Sequence, residues 1–123
     1  MLTLPPSTRV FVATQPTDMR RSFDGLLAIV RDFLGHQDPL SGHLFVFRNK
    51  RGDRLKVLWW DRDGLALFYK RLEVGSFLVP DAPADTRQLE MTAADLQLLL
   101  QGIDPTKVQR SKRYSRPPAT THR

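Results

Sequence analysis

The sequence predicts a single α+β domain in which an antiparallel β-sheet is packed by two helices. Three β-rich segments in its middle follow one another closely and are joined by two tight turns, which is typical of a meander. An apolar stripe with helical spacing precedes this meander, and a second helix-start signal lies near residue 92. The 123 residues match one small domain, which is long enough to bury a core without covalent cross-links.

The first two elements are a short strand and an amphipathic helix. Residues Arg9–Thr14 are short and β-branched, which favours a strand. Thr17 and Asp18 offer an N-cap hydroxyl and an acid for the positive end of a helix. Gly25 weakens the pattern, so a helix that begins nearer Ser22, after a structured turn, is the alternative. The apolar stripe consists of Phe23, Leu26, Leu27, Val30, Phe33 and Leu34, with Gly35 as its stop.

The meander comprises Leu44–Asn49, Arg54–Asp61 and Leu65–Leu72, with turn residues between them. Strict alternation predicts two apolar faces, which need cover from helices, other strands or a second molecule. One face is predicted to carry Phe45, Phe47, Leu58, Trp60, Ala66 and Phe68. The other face is predicted to carry Leu44, Val46, Leu55, Val57, Trp59, Leu67 and Tyr69.

Two short strands and a second helix are predicted after the meander. Phe77–Val79 and Gln88–Met91 have strand composition. Thr92–Asp95 resembles a capping box with Asp in place of Glu, and it opens a helix that Gly102 ends. The apolar face of this helix consists of Leu96, Leu99, Leu100 and Ile103.

The positive charge is concentrated at the C-terminus. The net charge is +6, yet residues 1–106 contain 13 Lys and Arg and 13 Asp and Glu. Residues 107–123 contain six cations and no acid, so we expect a domain over 1–106 followed by a flexible basic tail over 107–123. Such a tail indicates a polyanionic partner, with nucleic acid favoured over membrane because apolar anchors are lacking; a solvated tail without a partner is the alternative.

Enzymatic function finds little support in the residues. There is no cysteine, no signal-peptide pattern and no long apolar run, which together favour a cytoplasmic protein without disulfides, thiolate metal sites or a membrane span. Nucleophile elbows and nucleotide-binding loops are also lacking, so no catalytic residue, metal or cofactor is expected. A metal-dependent nuclease built on Asp61, Asp63 and Glu73 stays as a minor alternative, although Asp and Gly there are also ordinary turn residues.

The most informative chemistry is a basic and aromatic region around the first meander turn. Cations that contact phosphates and aromatic rings that stack on bases are the components of a nucleic-acid site. Within the domain the candidate residues are Arg48, Lys50, Arg51, Arg54, Lys56, Trp59, Tyr69, Lys70 and Arg71. The tail adds Lys107, Arg110, Lys112, Arg113 and Arg116.

Three stretches resemble a known family: TDMRRSFDGL, DPLSGHLFVFRNKRGDRLKVLWWDRDGLALFYKRLE and MTAADLQLLLQGID. They look like the TnpB accessory proteins of insertion sequence 66-type bacterial transposons, also called second-reading-frame proteins. The resemblance covers about residues 8–105. Positions that match the family pattern are Asp18, Met19, Arg20, Phe23, Gly25, Gly42, Phe45, Phe47, Arg51, Gly52, Trp59, Trp60, Asp61, Gly64, Tyr69, Lys70, Arg71 and Leu72.

The resemblance implies a non-catalytic accessory role in transposition beside a separate transposase that carries the catalytic carboxylates. We therefore expect the chain to bind DNA, the transposase, or both. The alternative is a protein–protein adaptor without DNA affinity of its own, whose surplus apolar sheet surface pairs with the transposase or with a second copy of this chain. The tail carries no motif of the family.

Overall fold

The structure is a computed structural model, and it describes residues 7–33, 38–104 and 109–110. Seven strands and two helices lie within these residues. In chain order they are β1 (Arg9–Ala13), α1 (Phe23–Phe33), β2 (Leu44–Arg48), β3 (Arg54–Asp61), β4 (Gly64–Arg71), β5 (Gln88–Thr92), α2 (Ala93–Leu100), β6 (Ile103–Asp104) and β7 (Gln109–Arg110).

The main sheet has five strands in the order β4-β3-β2-β1-β5, and a separate two-stranded sheet pairs β6 with β7. The predicted meander is confirmed, because β2, β3 and β4 are consecutive antiparallel neighbours. The sheet is mixed rather than wholly antiparallel, since β1 runs parallel to β2. The reason is α1, which lies between these two strands in the chain and returns the chain to the end where β1 began.

Both helices begin where local chemistry favours a start. The Leu26 amide donates to the Ser22 carbonyl at 2.9 Å, so α1 begins directly after Ser22, which confirms the later of the two predicted starts. At α2 the predicted capping box is present: the Asp95 amide donates to the Thr92 hydroxyl at 3.1 Å, and the Thr92 amide donates back to the Asp95 carboxylate. Residues Leu34 and Gly35, predicted to end α1, lie outside the described residues.

The two faces of the sheet carry two separate apolar cores. The α1-side core contains Phe11, Ala13, Leu26, Val30, Phe45, Phe47 and Leu58. The α2-side core contains Val10, Val12, Leu44, Val46, Leu55, Val57, Leu72, Phe77, Met91, Leu96, Leu99 and Leu100. Each helix therefore buries one face of the same sheet, as the two apolar faces of the meander required.

The predicted faces of β4 are wrong by one residue. Phe68 packs against the α2-side core and Leu67 against the α1-side core, the reverse of the predicted assignment. The cause is the short turn, which pairs Asp61 with Gly64 and therefore places even-numbered residues of β4 opposite odd-numbered residues of β3. A one-residue change of register exchanges the faces of a strand.

The predicted strand Phe77–Val79 does not form. Its residues are not assigned to any strand, and the Phe77 side chain is buried in the α2-side core. The Phe77 amide donates to the Gly52 carbonyl at 2.8 Å, so this segment packs against the turn between β2 and β3. The segment supports that turn and is not part of the sheet.

Candidate nucleic-acid interface

One end of the sheet gathers most of the cations of the described domain. Strands β1 and β2 finish there, β3 and β5 begin there, and β4 finishes there, as the pairing registers show. We call this the basic end. The cations in or near those strand ends are Arg20, Arg21, Arg48, Lys50, Arg51, Arg54, Lys56, Lys70, Arg71 and Arg87.

Two of these cations are direct cross-strand partners. Arg54, the first residue of β3, pairs with Arg71, the last residue of β4. Side chains of directly opposed residues lie on the same face, and like charges in that position are destabilising. Arg54 donates to the Tyr69 hydroxyl at 3.0 Å, and Arg71 forms an exposed ion pair with Glu73 at 3.2 Å. The pair concentrates positive charge at one corner of the sheet.

The β2–β3 turn holds two further cations outward on a fixed backbone. The Asn49 amide group donates to the Asp53 carboxylate at 2.7 Å, and the Asn49 side-chain oxygen accepts from the Arg54 amide at 3.0 Å. Gly52 has a φ of +77°, a conformation that side chains disfavour. Lys50 and Arg51 lie at the exposed tip of this turn.

The Asp53 carboxylate is engaged in the turn, where it stays ionised and offsets part of the positive charge of the tip. Its pKa is lowered from the ordinary value, first by the hydrogen bond from Asn49 and then by the nearby charges of Arg51 and Arg54. The Asp53 carbonyl also accepts from the Leu72 amide at 2.7 Å, which ties the turn to the residues that follow β4. The turn is thus held by Asn49 at its start and by Leu72, which follows β4.

A groove of about 480 Å³ separates this turn from the loop before α1. Its walls include Asp18 and Met19 on one side and Lys50, Arg51 and Arg54 on the other. Arg20 binds both oxygens of the Asp18 carboxylate, and this hydrogen bonding lowers the pKa of Asp18 to about 2. The groove is open and is bordered by three cations and by the two carboxylates Asp18 and Asp53, a small positive excess that suits a phosphate group.

In three predicted site residues, the cationic group already donates to a backbone carbonyl of the fold. Lys56 is 5% exposed, and its ammonium donates to the carbonyls of Met19 and Arg21. Arg48 is half-buried and donates to the Thr14 carbonyl at 2.7 Å. The half-buried Lys70 points its ammonium at the Leu100 carbonyl, 3.4 Å away, at the negative end of α2.

The two predicted stacking aromatics lie on opposite faces of the sheet. Trp59 is half-buried and packs against the α2-side core, whereas Tyr69 belongs to the α1 side. The Tyr69 side chain is 46% exposed, and the Lys56 ammonium lies 4.6 Å from its ring centroid. The structure therefore does not bring Trp59 and Tyr69 together into one stacking platform.

The remaining predicted cations belong to the tail. Arg110 lies in β7, where its backbone pairs with Ile103. Lys107, Lys112, Arg113 and Arg116 lie outside the described residues.

Sequence reasoning missed three cations of the basic end: Arg87, which directly precedes β5, and the neighbouring pair Arg20 and Arg21 in the loop before α1. Both are exposed, and the loop that carries them is fixed to β3 by Lys56. No sequence signal links them to the meander, because the contact joins residues about 35 positions apart. Arg20 and Arg21 belong to this surface only because the folded loop lies beside the strand ends.

The carboxylates considered for a nuclease do not converge. Asp61 and Asp63 lie at the β3–β4 turn, while Glu73 follows the other end of β4. Eight residues of extended strand separate the two ends by roughly 25 Å. A single metal site cannot contain all three, and no cluster of three metal-ligating side chains occurs within the described ranges.

Comparison with known proteins relates the chain to one family. A family model described as IS66 Orf2 like protein matches residues 8–110. The chain belongs to this IS66 Orf2-like family. The family places it among the transposition-associated accessory proteins of insertion sequences, as the three sequence stretches implied.

Two relatives come from Sinorhizobium fredii (strain NBRC 101917 / NGR234), where both are described as uncharacterized proteins. The protein y4jC is 45% identical over 102 residues, which cover 83% of this chain and 85% of the relative. The protein y4hO is 42% identical over 117 residues, which cover 88% of this chain and 99% of the relative. No solved structure matches the chain. Neither helix in the described part of this IS66 Orf2-like protein is long and apolar enough to cross a membrane.

Proposed function

We propose that this IS66 Orf2-like protein binds the phosphate backbone of DNA through its basic end and thereby serves transposition. The observation that carries the proposal is the Arg54–Arg71 pair beside the exposed Lys50–Arg51 tip. Direct opposition of like charges costs stability in the free protein. A bound phosphate between or beside the two guanidinium groups offsets that repulsion and gains charge-assisted hydrogen bonds.

Backbone rigidity supports the same conclusion. The tip is held by Asn49, by the amide of Leu72 and by the amide of Phe77, so its backbone needs little ordering when an anion arrives. Preorganised groups lose less conformational entropy on binding. Lys50, Arg51, Arg54 and Arg71 thus form a defined surface for an anion.

Lys56, Arg48 and Lys70 have a supporting role in this proposal. Their cationic groups contact backbone carbonyls, and they position the loop before α1, the end of β1 and the end of α2. Lys107, Arg110, Lys112, Arg113 and Arg116 would add affinity that does not depend on DNA sequence. Trp59 is assigned no base contact, since it packs against the α2-side core.

The adaptor alternative rested on surplus apolar sheet surface. Each face of the sheet packs against one helix, and the large apolar side chains that are exposed in the described residues are Phe23, Leu40 and Tyr69. The transposase stays a predicted partner of the chain.

Fluorescence anisotropy with a labelled DNA duplex tests the proposal. The test variant is the double substitution Lys50→Gln and Arg51→Gln in the full chain. Its matched control is Arg31→Gln and Arg62→Gln, which removes the same charge from exposed positions away from the basic end. We expect the test variant to reduce the slope of log K against log salt by about 1.8, or 0.9 for each lost phosphate contact.

The control should leave that slope nearly unchanged, although it alters the net charge equally. Equal losses in the two variants would mean that DNA responds only to net charge, and the assigned surface would be wrong. A full chain that fails to bind DNA at low salt would favour the adaptor alternative. Replacing Lys107, Lys112, Arg113 and Arg116 by Gln measures the contribution of the tail separately.

A further inference from the structure

Strand β4 forms one edge of the main sheet and is unusually open to pairing. It has eight residues, contains no proline, and has no neighbouring strand on its outer side among the described residues. Edge strands in natural proteins are commonly short, interrupted by proline or bulges, or protected by charged side chains. The only charges within β4 are Lys70 and Arg71 at its final two positions.

The turn geometry decides which backbone groups of β4 face outward. Gly64 pairs with Asp61 across the two-residue turn, so its backbone groups are directed toward β3. Directions alternate along an antiparallel strand. Leu65, Leu67, Tyr69 and Arg71 therefore present their amide and carbonyl groups to the outer edge.

The side chains along this edge are apolar and incompletely covered. Leu65 and Leu67 are half-buried on the α1 side, and Ala66 and Phe68 are half-buried on the α2 side. By contrast, β2, at the centre of the sheet, has four fully buried apolar residues. One additional strand beside β4 would cover both of its faces at once.

We propose that β4 pairs with β4 of a second copy of this chain, antiparallel, about a two-fold axis beside Leu67. The outward residues fix this arrangement: Leu67 then meets its own symmetry mate, Tyr69 meets Leu65 of the second copy, and Arg71 meets Asp63 of the second copy. The two five-stranded sheets become one sheet of ten strands.

Charge supports a second copy as the occupant. The β3–β4 turn carries Asp61 and Asp63 with Arg62, whereas the other end of β4 carries Lys70 and Arg71 with Glu73. Antiparallel pairing brings the net negative end of one strand beside the net positive end of the other. Parallel pairing would place Arg71 beside Arg71, and like charges in that position are unfavourable.

The opposite edge is a weaker candidate for the same role. Strand β5 has five residues, and its Glu90 forms an ion pair with Arg9 across β1 and β5. Pairing of β4 with β5 of another copy would also leave an edge open on each molecule and would produce chains of molecules rather than a closed dimer. A symmetric β4 contact closes after two copies.

Disulfide trapping tests the proposed pairing directly, because the chain contains no native cysteine. Directly opposed, hydrogen-bonded residues have Cα atoms about 5.5 Å apart, within the range that a disulfide spans. We expect the full chain with Leu67→Cys to form a covalent dimer under mild oxidation, at protein concentrations where Leu89→Cys on β5 does not. Light scattering of the native chain should give twice its 14.1 kDa mass at high concentration.

A second variant separates pairing from folding. Leu67→Pro removes an amide that faces outward, so it leaves the β3–β4 hydrogen bonds intact while it blocks the outer edge. We expect it to retain the native circular dichroism spectrum and to be monomeric. A native chain that stays monomeric at all concentrations, or cross-linking by Leu89→Cys as strong as that by Leu67→Cys, would overturn the proposal. Cross-linking only in a mixture of the two cysteine variants would overturn it as well, since it indicates β4–β5 contact.

Discussion

The ammonium of Lys56 donates a hydrogen bond to the carbonyl oxygen of Met19 at 2.8 Å and so joins the middle of the meander to the loop before α1. A second bond reaches the carbonyl of Arg21 at 2.7 Å, and the Tyr69 ring lies beneath the same ammonium. A lysine that is 5% exposed meets water little, and its charge is satisfied by backbone dipoles. The residue holds the loop before α1 in place from within.

Replacing Lys56 by Met is therefore expected to destabilise the fold. Met has a similar length but cannot donate, so two carbonyls lose a charged partner, at a cost of roughly 2–3 kcal/mol. Urea unfolding measures this change. Lys50→Met is the matched control, because Lys50 is exposed, and it should stay within about 0.5 kcal/mol of the native chain. Similar stability of both variants would contradict the structural role of Lys56.

The capping box of α2 gives a second prediction. Thr92→Ala removes the hydroxyl that accepts from the Asp95 amide, and α2 has only eight residues. A lost N-cap costs about 1 kcal/mol. Thr92→Ser keeps the hydroxyl and should recover most of that loss in the same thermal or urea unfolding measurement. If Ser and Ala variants were equally unstable, the methyl group rather than the cap would be responsible.

The Asp18 carboxylate predicts a response to acid. Its pKa is about 2 in the fold against an ordinary value of 3.8, chiefly because Arg20 donates to its carboxylate oxygens. A lowered folded-state pKa stabilises the fold above the unfolded value, and that contribution is lost as the pH falls from 3.8 toward 2. Asp18→Asn should therefore show a flatter decline of unfolding free energy over this interval.

Carboxyl titration by NMR checks the cause. Arg20→Gln should raise the Asp18 pKa toward 3.8, and high salt should do so partly in the native chain, because the Arg20 side chain is 91% exposed. An Asp18 pKa that Arg20→Gln leaves near 2 would place the cause elsewhere.

Local signals in the sequence predicted much of this fold. The capping box, the meander and the Ser22 helix start each depend on residues close in sequence, and all three are present. The parallel pairing of β1 with β2 depends on tertiary contacts of α1, which periodicity does not encode. The faces of β4 depended on the number of residues in one turn, where an error of one exchanges both faces.

Prediction of the candidate site was limited by burial. A basic residue looks the same in sequence whether its cation faces water, as at Lys50, or the backbone, as at Lys56. Alternation along β3 places Arg54 and Lys56 on one face. Their environments differ because the ammonium of Lys56 donates to a carbonyl of the loop before α1. The contribution of Arg20 and Arg21 depends on the same loop and was missed for the same reason.

The opposition of Arg54 and Arg71 gives the last prediction, which links stability to DNA binding. A double-mutant cycle with Arg54→Gln and Arg71→Gln isolates their mutual interaction from the separate contacts to Tyr69 and Glu73. In the free protein the coupling should be repulsive by a few tenths of a kcal/mol at low salt and should vanish near 1 M, where screening is strong.

DNA binding is measured on the same four proteins. A phosphate held by both guanidinium groups makes the second arginine most valuable when the first is present, so the coupling in the DNA-binding free energy should be favourable. Anisotropy at about 50 mM salt gives this value. Favourable coupling in binding together with repulsion in the free protein would mean that the DNA phosphate relieves a charge conflict built into the sheet. Additive losses would mean that the two arginines contact separate phosphates, and an attractive coupling in the free protein would contradict the direct opposition of their charges.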